Sequence, residues 1–288
     1  MKPAPFEYRR AISLDNALEL LEEGGPDAKP LAGGQSLVPL LNMRFLRPSL
    51  LVDLNGIEGL DRIESTDGAV RVGALVRQGA LGGSSLVRER CPLLAECVPL
   101  IGHFVTRNRG TVGGSIAHAD GGAELPIALV TLGGTVVAQS RFGCRRELPA
   151  EKFFITHFTT ALEPGELVTH TIWPGAARSW GYAFEELAQR HGDFALSIAA
   201  CALHVVDDRI AELRLCLGAV TERPMLVEVP LTGRPVDEAA RAAAAAARAA
   251  VEPFGSMHAS AEYLRHITGV LTERAVLRAW RNATEVAT

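Results

Sequence analysis

Two glycine clusters, far apart in the chain, constrain its fold more than any other feature. The first is Ala32-Gly33-Gly34-Gln35-Ser36. The second is Thr111-Val112-Gly113-Gly114-Ser115, inside the run RNRGTVGGSIAHADGGAELP at residues 107–126. Each sets a Gly-Gly pair beside a hydroxyl residue. With no side chain in the way, such a segment can turn its N–H groups closely around a bulky anion. One such cluster alone is a common turn. Two together read as the halves of a split cradle for a pyrophosphate.

The chain has 288 residues, 48% of them hydrophobic, which is enough for a sizeable core and for more than one subdomain. A net charge of −4 and a pI near 6.1 give no electrostatic case for nucleic acid. Arg141, Arg145 and Arg146 read either as a local basic patch or as a solvated loop after a strand. The opening MKPAPFEYRR lacks the apolar stretch of a secretory signal. No window approaches the roughly 18 apolar residues of a membrane span. The expectation is a soluble, cytoplasmic protein. The five cysteines, Cys91, Cys97, Cys144, Cys201 and Cys216, include no C-x-x-C pair. They read as buried single thiols, not as a disulfide framework or iron–sulfur ligands.

Ser13 is placed to cap a helix with the apolar stripe Leu14, Ala17, Leu18 and Leu21, stopped by Gly24 and Gly25. An extended piece at residues 30–32 runs into the first glycine cluster, and residues 37–45 read as helical. Residues 50–54 and 70–74 read as strands, with turns at Asn55-Gly56 and Asp67-Gly68. A helix is expected over residues 93–103, a loop at 111–115, a helix over 124–132, and strands over 135–140 and 166–173. After about residue 176 the pattern changes to strands at 182–188, 197–206 and 209–220, the last two joined at Asp207-Asp208. Helices follow at 236–251, 259–267 and 271–282. Strands followed by helices read as a separate unit, and the fold class is α+β.

The first cluster is neither a Walker A loop, for which Gly-Lys-Ser/Thr is missing, nor a G-x-G-x-x-G opening a helix. The second is followed by His118, Asp120 and Glu124, a polar run in apolar sequence that is costly to bury without partners. A ligand or the loop's own hydrogen bonds can supply those partners. His118, Asp120 and Glu124 lack the spacing of a helical zinc site, and Gly121-Gly122 interrupts them. Ser115, His118 and Asp120 lack the G-x-S-x-G elbow of a hydrolase triad. No catalytic or metal residue is assigned. A further polar cluster, Arg190-His191-Gly192-Asp193, reads as a turn between strands.

AGGQSLVPLLNMR (residues 32–44) and RNRGTVGGSIAHADGGAELP together resemble the two flavin-binding motifs of the medium subunits of the molybdenum hydroxylases. PFEYRRAISLDNALELL, ELAQRHGDFALSIAA and ASAEYLRHITGVLTERAV extend the resemblance to nearly the whole chain. It implies two N-terminal α+β subdomains of the type shared with vanillyl-alcohol-oxidase (PCMH-type) flavoproteins, at about residues 1–55 and 56–176, and a C-terminal domain at 177–288 with a three-stranded antiparallel sheet. FAD would lie between the N-terminal subdomains. By position, Lys29, Pro30, Leu31, Ala32, Gly33, Gly34, Gln35 and Ser36 would form one pyrophosphate loop, and Thr111, Val112, Gly113, Gly114 and Ser115 the other. His118, Asp120 and Glu124 would complete the nucleotide site, with Glu124 in the place of an acidic contact to the flavin nucleotide, and Ile101 and Val168 would be apolar contacts.

The resemblance also implies partners: a large molybdenum-binding subunit and a small subunit with [2Fe–2S] clusters, in a dimer of heterotrimers that relays electrons through FAD to an external acceptor. Three positions depart from the family. Ile101 stands where some relatives have Phe. Glu186, also expected at the flavin, stands where several have Lys, and the lost positive charge would disfavour a reduced, anionic flavin. Asp120-Gly121-Gly122-Ala123 replaces Asp-Pro-Ala-Ala, which is expected to loosen that loop. Two other readings remain: a self-sufficient flavin oxidoreductase using His118 or His191, and a nucleotide-binding module without redox chemistry.

Overall fold

A computed structural model describes residues 2–230 and 235–285. Among these residues the chain builds three main sheets. The first is parallel and three-stranded, in the order Glu7–Arg10, Leu50–Asp53, Ala28–Leu31. The helix Leu14–Gly24 covers it as expected. Ser13 Oγ accepts from Asn16 N, and Ala17, Leu18 and Leu20 are buried; Leu21 is only partly so. The edge strand Glu7–Arg10 went unforeseen because all of its residues are exposed and carry no apolar alternation.

The second sheet is antiparallel and five-stranded, in the order Ile63–Thr66, Ala69–Gly73, Leu167–Pro174, Thr135–Gln139, Arg145–Pro149. The arginines read as a possible basic patch lie on or beside its last strand, and each has an acidic partner. Arg141 pairs with Glu19 and Glu22, Arg145 with Glu147, and Arg146 with Glu163 and Glu166. The expected helix at 93–103 ends early, at Pro92–Cys97, and tightens to a 3-10 turn at Val98–Leu100, because Pro99 has no N–H to continue the ladder.

The third sheet is antiparallel and has four strands, not three: Trp180–Ala188, Ala195–Val206, Arg209–Gly218 and Met225–Val227. The fourth is only three residues long, all half-buried, so it leaves no period to read. Two helices, Val236–Ala250 and Ala261–Glu285, pack on this sheet. The second was expected as two helices. It continues through Gly269, which seats the side chain of Arg248 from the neighbouring helix.

The helix Glu124–Thr131 lies between the second and third sheets. Every residue from Leu125 to Thr131 is buried, which explains its apolar circumference. One hydrophobic core therefore runs from Val70 and Trp173 of the second sheet through Leu125 and Leu129 to Phe184, Ile198 and Cys216 of the third. No helix among the described residues is long and apolar enough to cross a membrane.

Helix and sheet approach closely at Gly181, where an added Cβ would overlap the carbonyl oxygen of Ala279 and lie 2.7 Å from the nitrogen of Ala283. Both obstacles are backbone, so no rotamer change relieves them. Gly181→Ala is expected to cost about 2–3 kcal/mol of stability by overpacking. Urea unfolding checks this, and a midpoint equal to wild type would contradict the packing described.

Candidate flavin-nucleotide site

The chain leaves the strand Ala28–Leu31, which holds Lys29, Pro30 and Leu31, and turns through Ala32, Gly33, Gly34, Gln35 and Ser36 into the helix Leu37–Asn42. Gly34 has φ +72°, in the left-handed region that glycine enters without strain. Gly33 packs so closely on the segment before the second cluster that a Cβ there would overlap Arg109 O and lie 2.9 Å from the Cα of Gly110. A Cβ on Gly114 would lie 4.0 Å from the Cβ of Ala32. The fold thus brings the two glycine clusters face to face. Among the described residues, the successive N–H groups of Gly33, Gly34, Gln35, Ser36 and Leu37 have no acceptor.

The second cluster differs from its expected form. It is the N-terminal turn of a helix, Val112–His118, and not a loop. Thr111 is the N-cap, and its Oγ1 accepts from Gly114 N at 3.1 Å. Val112 N donates to Val76 O at 3.0 Å and Gly113 N to Ala74 O at 2.9 Å. These N–H groups are committed to the fold, so the two halves are unequal: the first cluster offers open donors, and the second offers a close, side-chain-free wall and the hydroxyl of Ser115. Val168 is buried in the strand Leu167–Pro174, and its neighbour Thr169 accepts at its carbonyl from Ala74 N, the residue that also seats Gly113.

The rest of the polar run separates into two places. At the far end of its helix, His118 stacks on Phe158 with centroids 4.8 Å apart, and burial lowers its pKa. Asp120 Oδ1 accepts from Gly122 N at 2.9 Å. The loop expected to be loosened by Gly121-Gly122 is instead pinned. Gly121 is buried against the carbonyls of Thr221 and Glu222, and its own carbonyl accepts from Ala219 N at 2.8 Å.

Glu124 opens the buried helix and lies near Glu186 of the strand Trp180–Ala188. Burial, with the charge of Asp120, raises Glu124 to about 7 against the pull of Arg107. Burial first, and then Glu124, raises Glu186 to about 8, and Glu186 Oε2 is buried without a hydrogen-bond partner. A carboxyl raised this far adds little negative charge at neutral pH, while the positive charge of a Lys is still missing at this position. Arg107 Nη1 donates to Ile101 O at 2.8 Å and Gly102 O at 2.7 Å, which fixes the segment carrying buried Ile101. The turn at residues 190–194 arrives from the third sheet and seats Gly192 on the ring of His103, leaving Phe194 83% exposed beside this segment.

The polar residues beneath the two clusters were not visible in the sequence. Asn55 read only as a turn residue, and Tyr8, Asp53 and Arg77 carried no local motif. They meet only in the folded chain, where Arg77 donates to Asn55 and Tyr8 to Asp53.

Residues 4–176 match the family described as FAD binding domain in molybdopterin dehydrogenase, and residues 182–279 match the CO dehydrogenase flavoprotein C-terminal domain. The chain belongs to the FAD-binding medium-subunit family of the molybdopterin dehydrogenases. It is 40% identical to the 6-hydroxypseudooxynicotine dehydrogenase complex subunit alpha of Paenarthrobacter nicotinovorans, across 98% of this chain and 97% of that one. Its fold is similar to that of a chain in carbon monoxide dehydrogenase from Hydrogenophaga pseudoflava, with a TM-score of 0.94 at 35% identity over 98% of this chain and 99% of that one. A chain of quinoline 2-oxidoreductase from Pseudomonas putida 86 superposes with a TM-score of 0.93 at 37% identity, covering 98% and 99%. Chains of this family are oxidoreductase subunits.

Proposed function

We propose that this chain holds FAD across the two glycine clusters and serves as the electron-transfer subunit of a molybdenum-containing hydroxylase. The observation that carries this reading is the run of acceptor-free N–H groups from Gly33 to Leu37, set directly against the wall formed by Arg109, Gly110 and Gly114. Successive N–H donors with no internal partner are suited to the oxygens of a diphosphate. Ser36 and Ser115 add hydroxyl donors, Gln35, Thr111, Val112 and Gly113 shape the walls, and Ile101 and Val168 offer apolar contacts. Glu124 and Glu186 are the acidic groups closest in role to the flavin end. The domain division that goes with this reading is a PCMH-type unit of two subdomains at 1–176 and a C-terminal unit at 177–288.

Bound FAD supplies the redox chemistry, exchanging electrons in ones or twos, and the protein supplies binding, orientation and electrostatics. The substrate would be oxidised on a large molybdenum-binding partner, and a small partner with [2Fe–2S] clusters would deliver electrons to this chain. Support comes from relatives that are themselves named as subunits or medium chains of complexes. The five free cysteines, four of them buried, accord with a reducing cytoplasm.

Native purification of the tagged chain tests the proposal. The expected result is co-purification of two further subunits that carry molybdenum and iron–sulfur clusters, with flavin released from this chain on heating. A chain that purifies alone and whose flavin is bleached directly by an organic substrate would overturn the relay role. A chain without any flavin would overturn the cofactor.

A further inference from the structure

Both glycine clusters hang on a polar network that lies outside them. Asn55 Nδ2 donates to Ala32 O at 3.0 Å, holding the first cluster where it leaves its strand. Arg77 Nη1 donates to Arg109 O at 2.6 Å, the atom on which Gly33 packs. Arg77 Nη2 donates to Asn55 Oδ1 at 2.5 Å and so joins the two attachments. Asn55 is oriented in turn by Asp53, whose Oδ1 accepts from Asn55 N at 2.9 Å and Asn55 Nδ2 at 2.5 Å. Tyr8 Oη donates to Asp53 Oδ2 at 2.5 Å. Burial opposes ionisation of Asp53, but the hydrogen bonds from Tyr8 and Asn55 prevail and hold its carboxyl below the ordinary value. The network therefore has a charged anchor at one end and a guanidinium at the other.

We propose that Arg77, seated on Asn55, is a positioning residue that sets the spacing of the two glycine clusters for the diphosphate of FAD. This rests on the FAD reading above. Only a guanidinium fits the geometry: its planar fork presents two donors at a fixed angle, one to each segment, whereas a lysine ammonium is a single point. The electrostatics point the same way. Burial first, and then the charge of Arg109, lower the pKa of Arg77, and Asp53 opposes them. A diphosphate bound beside the two arginines would relieve their repulsion. No residue of the network needs to touch the cofactor, because each acts through the backbone carbonyls of Ala32 and Arg109.

The test uses the complete chain, stripped of cofactor and titrated with FAD. Arg77→Met and Arg77→Lys are compared with Arg241→Met, a charge control on the exposed face of the helix Val236–Ala250. Phosphorus NMR reads the bound diphosphate, and thermal melts of the apo chain read the fold. Wild type and the control are expected to bind FAD alike. Both Arg77 variants are expected to bind about tenfold more weakly, the scale of one lost charge-assisted hydrogen bond. Their diphosphate resonances shift, while the apo melting temperature of Arg77→Lys stays within about 2 °C of wild type. Should Arg77→Met fail to fold, Asn55→Ala cuts the tie to Ala32 without removing a charge, and the same outcome is expected. Arg77 variants that bind FAD like wild type, with unmoved resonances, overturn the positioning role alone. So does an affinity loss matched by an equal loss of apo stability with unmoved resonances, which would make Arg77 a residue of the fold only. A wild-type chain that takes up no FAD overturns the cofactor reading and the positioning role with it.

Discussion

Gly33→Ala is expected to weaken FAD binding by about tenfold to a hundredfold while the apo chain still folds. The reason is local and steric. The new Cβ would overlap Arg109 O, and the next nearest atoms are also backbone, at Gly110 and Arg109. Relief requires one glycine cluster to move off the other, and overpacking of this kind costs about 1–3 kcal/mol. The cost falls on the junction that forms the cradle, not on the main cores, whose residues lie elsewhere. Gly34→Ala makes a useful comparison. Its φ of +72° would be strained by a side chain, but its nearest neighbours are side-chain methyls of Val38 and Leu31 at 3.1 and 3.3 Å, not backbone. Its effect is expected to be smaller, about 1 kcal/mol. Titration of flavin fluorescence, with circular dichroism of the apo chains, reads both. Equal and wild-type affinities in the two variants would mean that the clusters do not act together.

Glu186→Gln is expected to stabilise the apo chain at alkaline pH and to do little at acidic pH. The sign follows from the direction of the shifts. Glu186 is raised from 4.5 to about 8, mainly by burial, and Glu124 from 4.5 to about 7. The folded chain therefore holds protons that the unfolded chain has released. Stability from these carboxyls is complete below about 4.5 and is lost as pH rises through 7 and 8. Discounted for the part-exposed position of the side chain, removing the Glu186 charge should recover about 2 kcal/mol at pH 9. That corresponds to roughly 3–5 °C in melting temperature. Melts at pH 5 and pH 9 check the difference, and a variant that gains nothing at pH 9 would show that Glu186 ionises freely. The same neutrality predicts that Glu186→Gln leaves the flavin potential near wild type at pH 7, whereas Glu186→Lys raises it by adding a real charge.

The parts of this molecule that depend on local pattern were legible in the chain. Ser13 and the stripe ending at Gly24 gave the first helix its limits, and the Gly-Gly pairs marked both sides of the cradle. The sequence was less informative where one residue type serves two purposes. Thr111 reads as a ligand hydroxyl and also caps a helix, and the N–H of Gly113 is held by Ala74. The break expected between residues 267 and 271 is absent, because Gly269 makes room for Arg248 inside one continuous helix. Gly121 looked like a source of looseness, yet it is buried against Thr221 and Glu222. The support beneath the clusters was invisible for another reason. Tyr8, the pair Asp53 and Asn55, and Arg77 come from three segments: Tyr8 reaches Asp53 across neighbouring strands of the first sheet, and Arg77 reaches Asn55 from the segment after the strand Ala69–Gly73.

The most direct measurement is the experimental density of the FAD-loaded chain in its complex. The diphosphate is expected against the N–H groups of Gly33, Gly34, Gln35, Ser36 and Leu37, with Ser115 on the opposite wall and Arg77 still bridging Asn55 and Arg109. A diphosphate bound elsewhere, or one whose donors come from Val112 and Gly113 after they release Val76 and Ala74, would contradict this placement.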